Sequence, residues 1–464
     1  MSNCVVRLSS LTLDNIKNVK HGTIYLPLAN KKGFNCDSSD ILGVYGQNGS
    51  GKTAIVDTLH FLQHIMLGEE LEQNIVDYID TSSTKAEIGA DFKISNDDIL
   101  YEVEYHIVLS RDGNVGYIDR EYLKCATIQN GSRTTKSIFM DYSRLEAEAI
   151  FTPKKRLDEL IGKDKEKKMD LIVARKIAEK SNCSYIFGES SRNIFVKKTP
   201  DDFKKYAFVI NALFNFALKD LFVIKSSHSG VISAKLILPM AFRVEKERMG
   251  MKGDFAVPLM EPAVLDADRK ALLNEIVNQI NMVLYTIIPG MKIDIKDYGK
   301  QAMDSGEEGW KVELMSIRGD MKPIPIRMES EGIIKIVSIL NVLIQAFGHP
   351  SVCLVIDELD AGIFEFMLGE LLDIFRKSAK GQLIFTSHNL RALEMLDKES
   401  IMFSTVNPHN RYIHMKNVKE SNNLRSTYIR SITLGGQKEA IYEETDSLKI
   451  AKAFRKAGRS LHNE

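Results

Sequence analysis

Gly46-Gln47-Asn48-Gly49-Ser50-Gly51-Lys52-Thr53 constrains this chain more than any other stretch of it. It fits the pattern G-x-x-x-x-G-K-[ST] in full. Ahead of it, Ile41-Leu42-Gly43-Val44-Tyr45 reads as a buried strand; behind it, Thr53 to Leu62 carries apolar residues at helical spacing. Strand, glycine-rich loop and helix together make a phosphate cradle. The glycines let successive backbone N–H groups converge on phosphate oxygens with no Cβ in the way. The helix start adds about half a positive charge and free N–H donors. Gly46, Asn48, Gly49, Ser50, Gly51, Lys52 and Thr53 are therefore the expected nucleotide-binding residues, with ATP and Mg²⁺ the expected cofactors. Lys52 is expected on the β- and γ-phosphates, and the Thr53 hydroxyl on the metal.

A phosphate loop needs a carboxylate partner. Val352-Cys353-Leu354-Val355-Ile356 is a continuous apolar run, the mark of a strand buried on both faces of a parallel sheet. It ends in Asp357-Glu358, at the strand edge where open α/β sheets bind ligands. Asp357 is expected to hold Mg²⁺ and Glu358 to polarise the attacking water. A second buried run, Leu383-Ile384-Phe385, leads into Thr386-Ser387-His388, which sets His388 where a γ-phosphate sensor belongs. Asp357 follows Thr53 by 304 residues (357 minus 53), so the two halves of the site are far apart in the chain.

Just before the acidic strand, Ser330-Glu331-Gly332 opens a helix with a stripe of Ile333, Ile336, Val337, Leu340 and Leu343. Ser330 reads as its N-cap, and its hydroxyl with the N–H groups near Gly332 makes a second anion site. In order, the residues resemble the ABC-type ATPases of the SMC, RecF and OLD branch. There a phosphate loop is followed by a signature Ser-x-Gly, an acidic strand, a short acidic loop (here Leu359-Asp360-Ala361-Gly362) and a switch His. Leu11 to Val19 also resembles the strand and turn that flank the nucleotide in that branch, which puts Lys17 at the site. The resemblance covers roughly residues 1–125 and 290–415 and is greatest to compact bacterial antiphage ATPases of the AbiEii/OLD-like "AAA_21" kind. This sequence departs from the branch in three ways. The signature reads Ser-Glu-Gly, Phe364 stands where SMC heads tend to have Asp, and no Q-loop glutamine is evident, since Gln63 falls on the helix after the phosphate loop. Leu434-Gly435-Gly436-Gln437 looks like a signature but follows His388, the wrong order for the fold.

The resemblance implies an α/β ABC-type ATPase head, a mixed sheet flanked by helices plus an antiparallel side sheet, with a mainly helical insert. The expected division is 1–143 and 286–415 for the two halves of the head, 144–285 for the insert and 416–464 for a docking tail. Lys85–Leu109 and Gly116–Leu123 alternate as antiparallel strands of the side sheet. Leu157–Lys180 reads as a solvated charged helix, Phe203–Phe222 as a core or subunit-contact helix, and the tail ends in a basic amphipathic helix capped by Asp446-Ser447. In the family, Ser330 and Gly332 of one subunit would cover ATP held by another, with Asp360 on the intersubunit loop. A homo-oligomer held by an ATP sandwich follows.

Lys+Arg and Asp+Glu both number 62, so net charge does not point to nucleic acid. Cys4, Cys36, Cys125, Cys183 and Cys353 lack metal or disulfide spacing, which fits a reducing compartment. No signal core is evident and no run reaches the ~18 apolar residues of a membrane span, so a cytoplasmic protein with no membrane partner is expected. The insert is too short for a coiled-coil arm and the stretch after His388 too short for a Toprim nuclease, which makes intrinsic nuclease activity unexpected and a separately encoded effector expected. The leading function is an ATP-dependent sensor or scaffold in antiphage defence. A RecF-like DNA-repair ATPase clamping duplex DNA is the alternative, with the engine of a membrane transporter a weaker third class.

Overall fold

The computed structural model describes residues 4–29, 36–146, 149–197, 199–246, 249–303, 305–415, 424–434 and 437–460. The chain opens with β1 (Val5–Ile16), β2 (Val19–Tyr25), β3 (Asp40–Tyr45) and α1 (Lys52–Met66). It continues with β4 (Lys85–Asn96), β5 (Ile99–Asp112), β6 (Val115–Gln129), β7 (Ser132–Arg133) and β8 (Ser137–Ser143). A helical run follows, α2 (Lys154–Ile161), α3 (Lys165–Lys180), α4 (Glu189–Val196) and α5 (Lys204–Asn215). Then come β9 (Leu221–Ile224), α6 (Ser226–Ser233), β10 (Ile237–Lys246), β11 (Met249–Pro258), β12 (Ala263–Leu265) and α7 (Ala267–Ile287). The second half holds β13 (Met291–Ala302), β14 (Glu308–Arg318), β15 (Ile324–Pro325), α8 (Glu331–Gly348), β16 (Cys353–Ile356) and α9 (Glu365–Ser378). It closes with β17 (Gln382–Ser387), α10 (Ala392–Met395), β18 (Ile401–Ser404), β19 (Tyr412–Ile413), α11 (Leu424–Leu434) and α12 (Ser447–Ser460).

A six-stranded sheet in the order β19-β18-β3-β17-β16-β9 forms the centre, parallel except at β19. The middles of its strands are largely apolar because both faces are covered, with buried polar residues such as Asp40, Gln382 and Thr386 at strand ends. Alternate residues point to opposite layers. Leu42 and Val44 of β3, Cys353 and Val355 of β16 and Ile384 of β17 enter one core with α1 and the antiparallel sheet. Ile41 and Tyr45, Leu354 and Ile356, and Leu383 and Phe385 enter the other with α7, α8 and α9. The expected side sheet is larger than Lys85–Leu123 suggested: β1 and β2 join it, giving seven antiparallel strands.

Residues 144–285 are helical at first, but β9 lies within them and pairs in parallel with β16 of the central sheet. Four short apolar residues after an aromatic helix give no local sign of this, because the edge position is decided by a partner over 100 residues away. The boundary at 285 also falls inside α7. The 203–222 stretch is core, with Tyr206, Val209, Ile210, Leu213 and Phe216 buried. The charged 157–180 stretch is not uniformly polar outside: Met169, Val173 and Ile177 form an exposed apolar stripe on α3. Against the expectation that no segment qualifies, α8 has the length and mean hydropathy (1.5) of a membrane span, but 67% of it is buried inside the protein. Gly435 and Gly436 of the false signature lie outside the described residues, and Leu434 ends α11.

Candidate active site

The glycine-rich loop joins β3 to α1, as its sequence context predicts. Gly46, Gly49 and Gly51 have φ values of 155°, 76° and 89°. A Cβ on Gly46 would stand 1.8 Å from Ser404 Oγ, so the loop's entry is closed to any side chain. Gly51 is the N-cap of α1, which has no side-chain cap and no acidic residue in its first turn. The first N–H groups of α1 are thus left for an anion. Lys52 Nζ folds back to the carbonyls of Gly46 (2.8 Å) and Gln47 (3.0 Å), a parking place it can leave for phosphate. Burial lowers the Lys52 pKa, opposed by Asp357, Glu358 and Asp360.

A cavity of about 420 Å³ is lined by Lys17, Asn18, Asn48, Gly49, Gly51, Lys52, Thr53, Ala54, Asp357, Glu358 and His388. The fold thus brings both distant halves together, because β17 lies between β3 and β16 and all three end at one edge. Gly46 and Ser50 sit in the same loop without lining the cavity; the Ser50 hydroxyl is turned inward to Gln47 O and Ser404 Oγ. Lys17, at φ 51°, ion-pairs with Asp57 of α1 (2.5 Å) and lies 4.5 Å from the Tyr78 ring centre. Asp57 also faces Lys225 at 3.3 Å.

Asp357 is 2% exposed and takes a bond from the Thr386 hydroxyl on Oδ1 (2.6 Å). The same hydroxyl oxygen receives the Glu358 N–H (2.7 Å). Glu358 sits at φ 51°, a left-handed conformation costly for a residue with a side chain. It is held there from both sides, since its carbonyl also accepts from Lys335 Nζ (2.5 Å). Thr53, exposed at the start of α1, and the Asp357 carboxylate offer hard oxygen donors across one cavity, which fits Mg²⁺. His388 has its pKa lowered, first by partial burial and then by Lys52, against the pull of the three carboxylates.

Ser330 and Gly332 are not in this cavity. Ser330 is the N-cap of α8, as expected, but its hydroxyl makes no cap bond and the residue is exposed. Gly332 is buried and packs closely: a Cβ there would lie 1.9 Å from Gly362 O. Asp360 joins the two places, because its Oδ2 accepts the His388 N–H (3.1 Å) while its loop runs on to Gly362. Asp360 Oδ1 is buried and has no partner among the described residues.

A family model described as "AAA domain, putative AbiEii toxin, Type IV TA system" (AAA_21) matches residues 41–394, well over half of the 464. The chain belongs to the AAA_21 family. No curated protein matches the sequence. Among solved structures the AAA_21 chain is similar to an Smc head bound to the C-terminal winged-helix domain of ScpA, at 15% identity over 88% of this chain and 97% of that one (TM-score 0.40). It is also similar to the SMC head domain from Thermotoga maritima, at 12% identity over 88% of this chain and 99% of that one (TM-score 0.38). The recombination mediator protein RecF is a third such structure (12%, 88% of this chain and 98% of that chain, TM-score 0.37).

Several residues that shape this site have no motif in the sequence to mark them. Thr386 clamps both acidic residues, and its only local sign is its place between strand and His388. Lys335 bonds Glu358 O and Ala361 O (3.2 Å) from α8; a lysine among isoleucines was the signal. Asn18 donates to Gly49 O, and the buried Tyr412 hydroxyl donates to Gly51 O (2.7 Å). The tail reaches the site too: Glu443 N–H donates to Gln47 Oε1 (2.9 Å). Gln63 lies on α1 as expected and holds the Ala217 and Leu221 carbonyls next to β9, away from the cavity.

Proposed function

We propose that this chain is an ATPase whose sites are finished only when two copies meet. We further propose that it acts as a sensor or scaffold controlling a separately encoded effector in antiphage defence. The observation that carries the first part is the Asp360–Gly362 loop, which touches His388 at one end and the start of α8 at the other. Ser330, with a hydroxyl free of capping, stands on the exposed side of that loop. Met328, Phe364 and Phe366 are exposed around it (66%, 66% and 53%), an apolar rim suited to a second copy. The family description, a putative toxin of a toxin–antitoxin type, supports a defence role.

In this reading Lys52, the loop N–H groups, Asn48 and Lys17 bind the phosphates, and Glu358 orients and polarises the attacking water. His388 reads the γ-phosphate and passes its state to Asp360. Mg²⁺, when bound through Thr53 and Asp357, supplies charge neutralisation. Ser330 and Gly332 of one copy close the site of the other. Residues 1–143 and 286–415 act as the two halves of one cytoplasmic head, 144–285 as its elaboration apart from β9, which completes the central sheet, and 416–464 as the docking tail. The exposed α12, with Leu448 and Phe454 81% and 75% exposed, suits such a tail.

Light scattering after size exclusion, with phosphate release, tests this. Glu358→Gln is expected to trap a larger ATP-dependent species without hydrolysis, and Lys52→Ala to form none. A mass indifferent to nucleotide in all three proteins would leave a constitutive scaffold. ATP-dependent duplex affinity with a steep salt slope would replace the defence role by DNA clamping.

A further inference from the structure

Beyond Asp57, the outer face of α1 turns away from the nucleotide cavity. There His60 and His64, one helical turn apart, bring their rings to 4.4 Å between centres. After α1 the chain turns and returns, so that Glu72 Oε1 lies 3.7 Å from His60 Nε2. One ligand atom from each of His60, His64 and Glu72 lies within 4.8 Å of the other two. We propose that these three residues form a site for a borderline divalent transition-metal ion, of which Zn²⁺ is the natural representative.

The donor set is two imidazole nitrogens and one carboxylate oxygen, which suits such ions and not Mg²⁺ or Ca²⁺. Glu69 adds an independent sign, because its carboxylate hydrogen-bonds His64 Nδ1. That pairing fixes the ring tautomer and leaves Nε2 as the lone pair for a metal, as carboxylates behind metal-bound histidines do. Bonds of about 2 Å set tetrahedral ligand atoms about 3.3 Å apart, so the side chains need to draw together by a small rotamer change. They have the freedom to do so: their side chains are 21%, 33% and 43% exposed for His60, His64 and Glu72. Lys225 faces this region, but it is paired with Asp57.

The consequence reaches the nucleotide cavity through the chain. Glu72 directly precedes the turn Gln73–Tyr78, and Tyr78 O accepts the Lys17 N–H (2.7 Å) while its ring supports the Lys17 ammonium. A metal would therefore tie the end of α1 to the segment that seats Lys17.

The test uses the full chain, stripped with chelator and titrated with Zn²⁺ by calorimetry, with Co²⁺ absorption as a second readout of geometry. Wild type is expected to take up one equivalent, and Asp357→Asn, which alters only the nucleotide cavity, to keep it. His60→Gln with His64→Gln is expected to lose it, as is the exposed Glu72→Gln, whose fold is not at stake. Glu69→Gln is expected to weaken binding about 10-fold or more. No uptake by wild type, or uptake lost in Asp357→Asn and kept in the histidine and Glu72 variants, overturns the proposal.

Discussion

Helix α1 begins at a left-handed glycine with no acidic residue in its first turn, whereas α8 begins at Ser330 with Glu331 in its first turn. Both present unpaired N–H groups. Around α1 the chain supplies a lysine and a hydroxyl for phosphate and metal, with two carboxylates across the same cavity. Around the start of α8 no such set lines one cavity, and the Glu331 carboxylate accepts from the Ser233 hydroxyl (2.8 Å). The first helix start faces a cavity with converging polar groups, and the second does not line that cavity. What joins them is mechanical. Gly332 rests on Gly362, and Lys335 holds the backbone of Glu358 from α8. A displacement of α8 by a second copy would therefore be felt at the strained Glu358.

The largest effects are expected at Lys52 and Glu358. Lys52→Ala and Glu358→Gln are each expected to lower phosphate release by about 10²-fold or more, with ATP binding kept only in the second. Filter binding beside a phosphate assay reads both, and hydrolysis surviving either change would remove α1 from the chemistry. Gly332→Ala comes next. Its Cβ must push α8 off Gly362 O, an overpacking cost of about 1–3 kcal/mol in thermal melts, together with slower hydrolysis. An unchanged melting temperature would mean the contact is slack.

Lys335→Met leaves the carbonyls of Glu358 and Ala361 without this donor, for about 1–3 kcal/mol. Its more telling effect is on rate: hydrolysis should fall while nucleotide affinity holds, since Lys335 does not line the cavity. An affinity loss with unchanged turnover would reverse its assignment. For His388 the sign runs downward, because partial burial and Lys52 favour the neutral ring. The acid limb of the pH–rate profile attributable to this ring should lie below about pH 6.5 and vanish in His388→Gln. The smallest effect is expected at Ser330. Replacing a bonded N-cap by Ala costs about 1 kcal/mol, but this hydroxyl makes no cap bond, so Ser330→Ala should leave stability nearly unchanged. A full cap-sized loss would show the hydroxyl committed to its own helix.

Local patterns carried most of the site. The phosphate loop, Asp357-Glu358, His388 and Lys17 were legible because each sits in a short motif, and Asn48, Gly49, Gly51, Lys52 and Thr53 of the loop line one cavity with the other four. The buried strands were legible because residues on both faces are apolar. What stayed hidden depends on partners far away in sequence. The four residues of β9 join the central sheet only through β16. Tyr412 reaches Gly51 across 361 positions, and Lys335 is simply a charge in a greasy helix until Glu358 is placed beside it. The packing of Gly332 against Gly362 is likewise a contact that no spacing rule reveals.

The shared site is tested most directly by mixing two inactive proteins. Lys52→Ala keeps an intact Ser330 face, and Ser330→Arg keeps an intact phosphate loop. If the site is composite, each alone is inactive, and an equal mixture regains roughly a quarter of the wild-type rate, as random pairing into two-site dimers requires. If the mixture stays as dead as its components, or Ser330→Arg hydrolyses ATP by itself, the site belongs to one chain and the account fails.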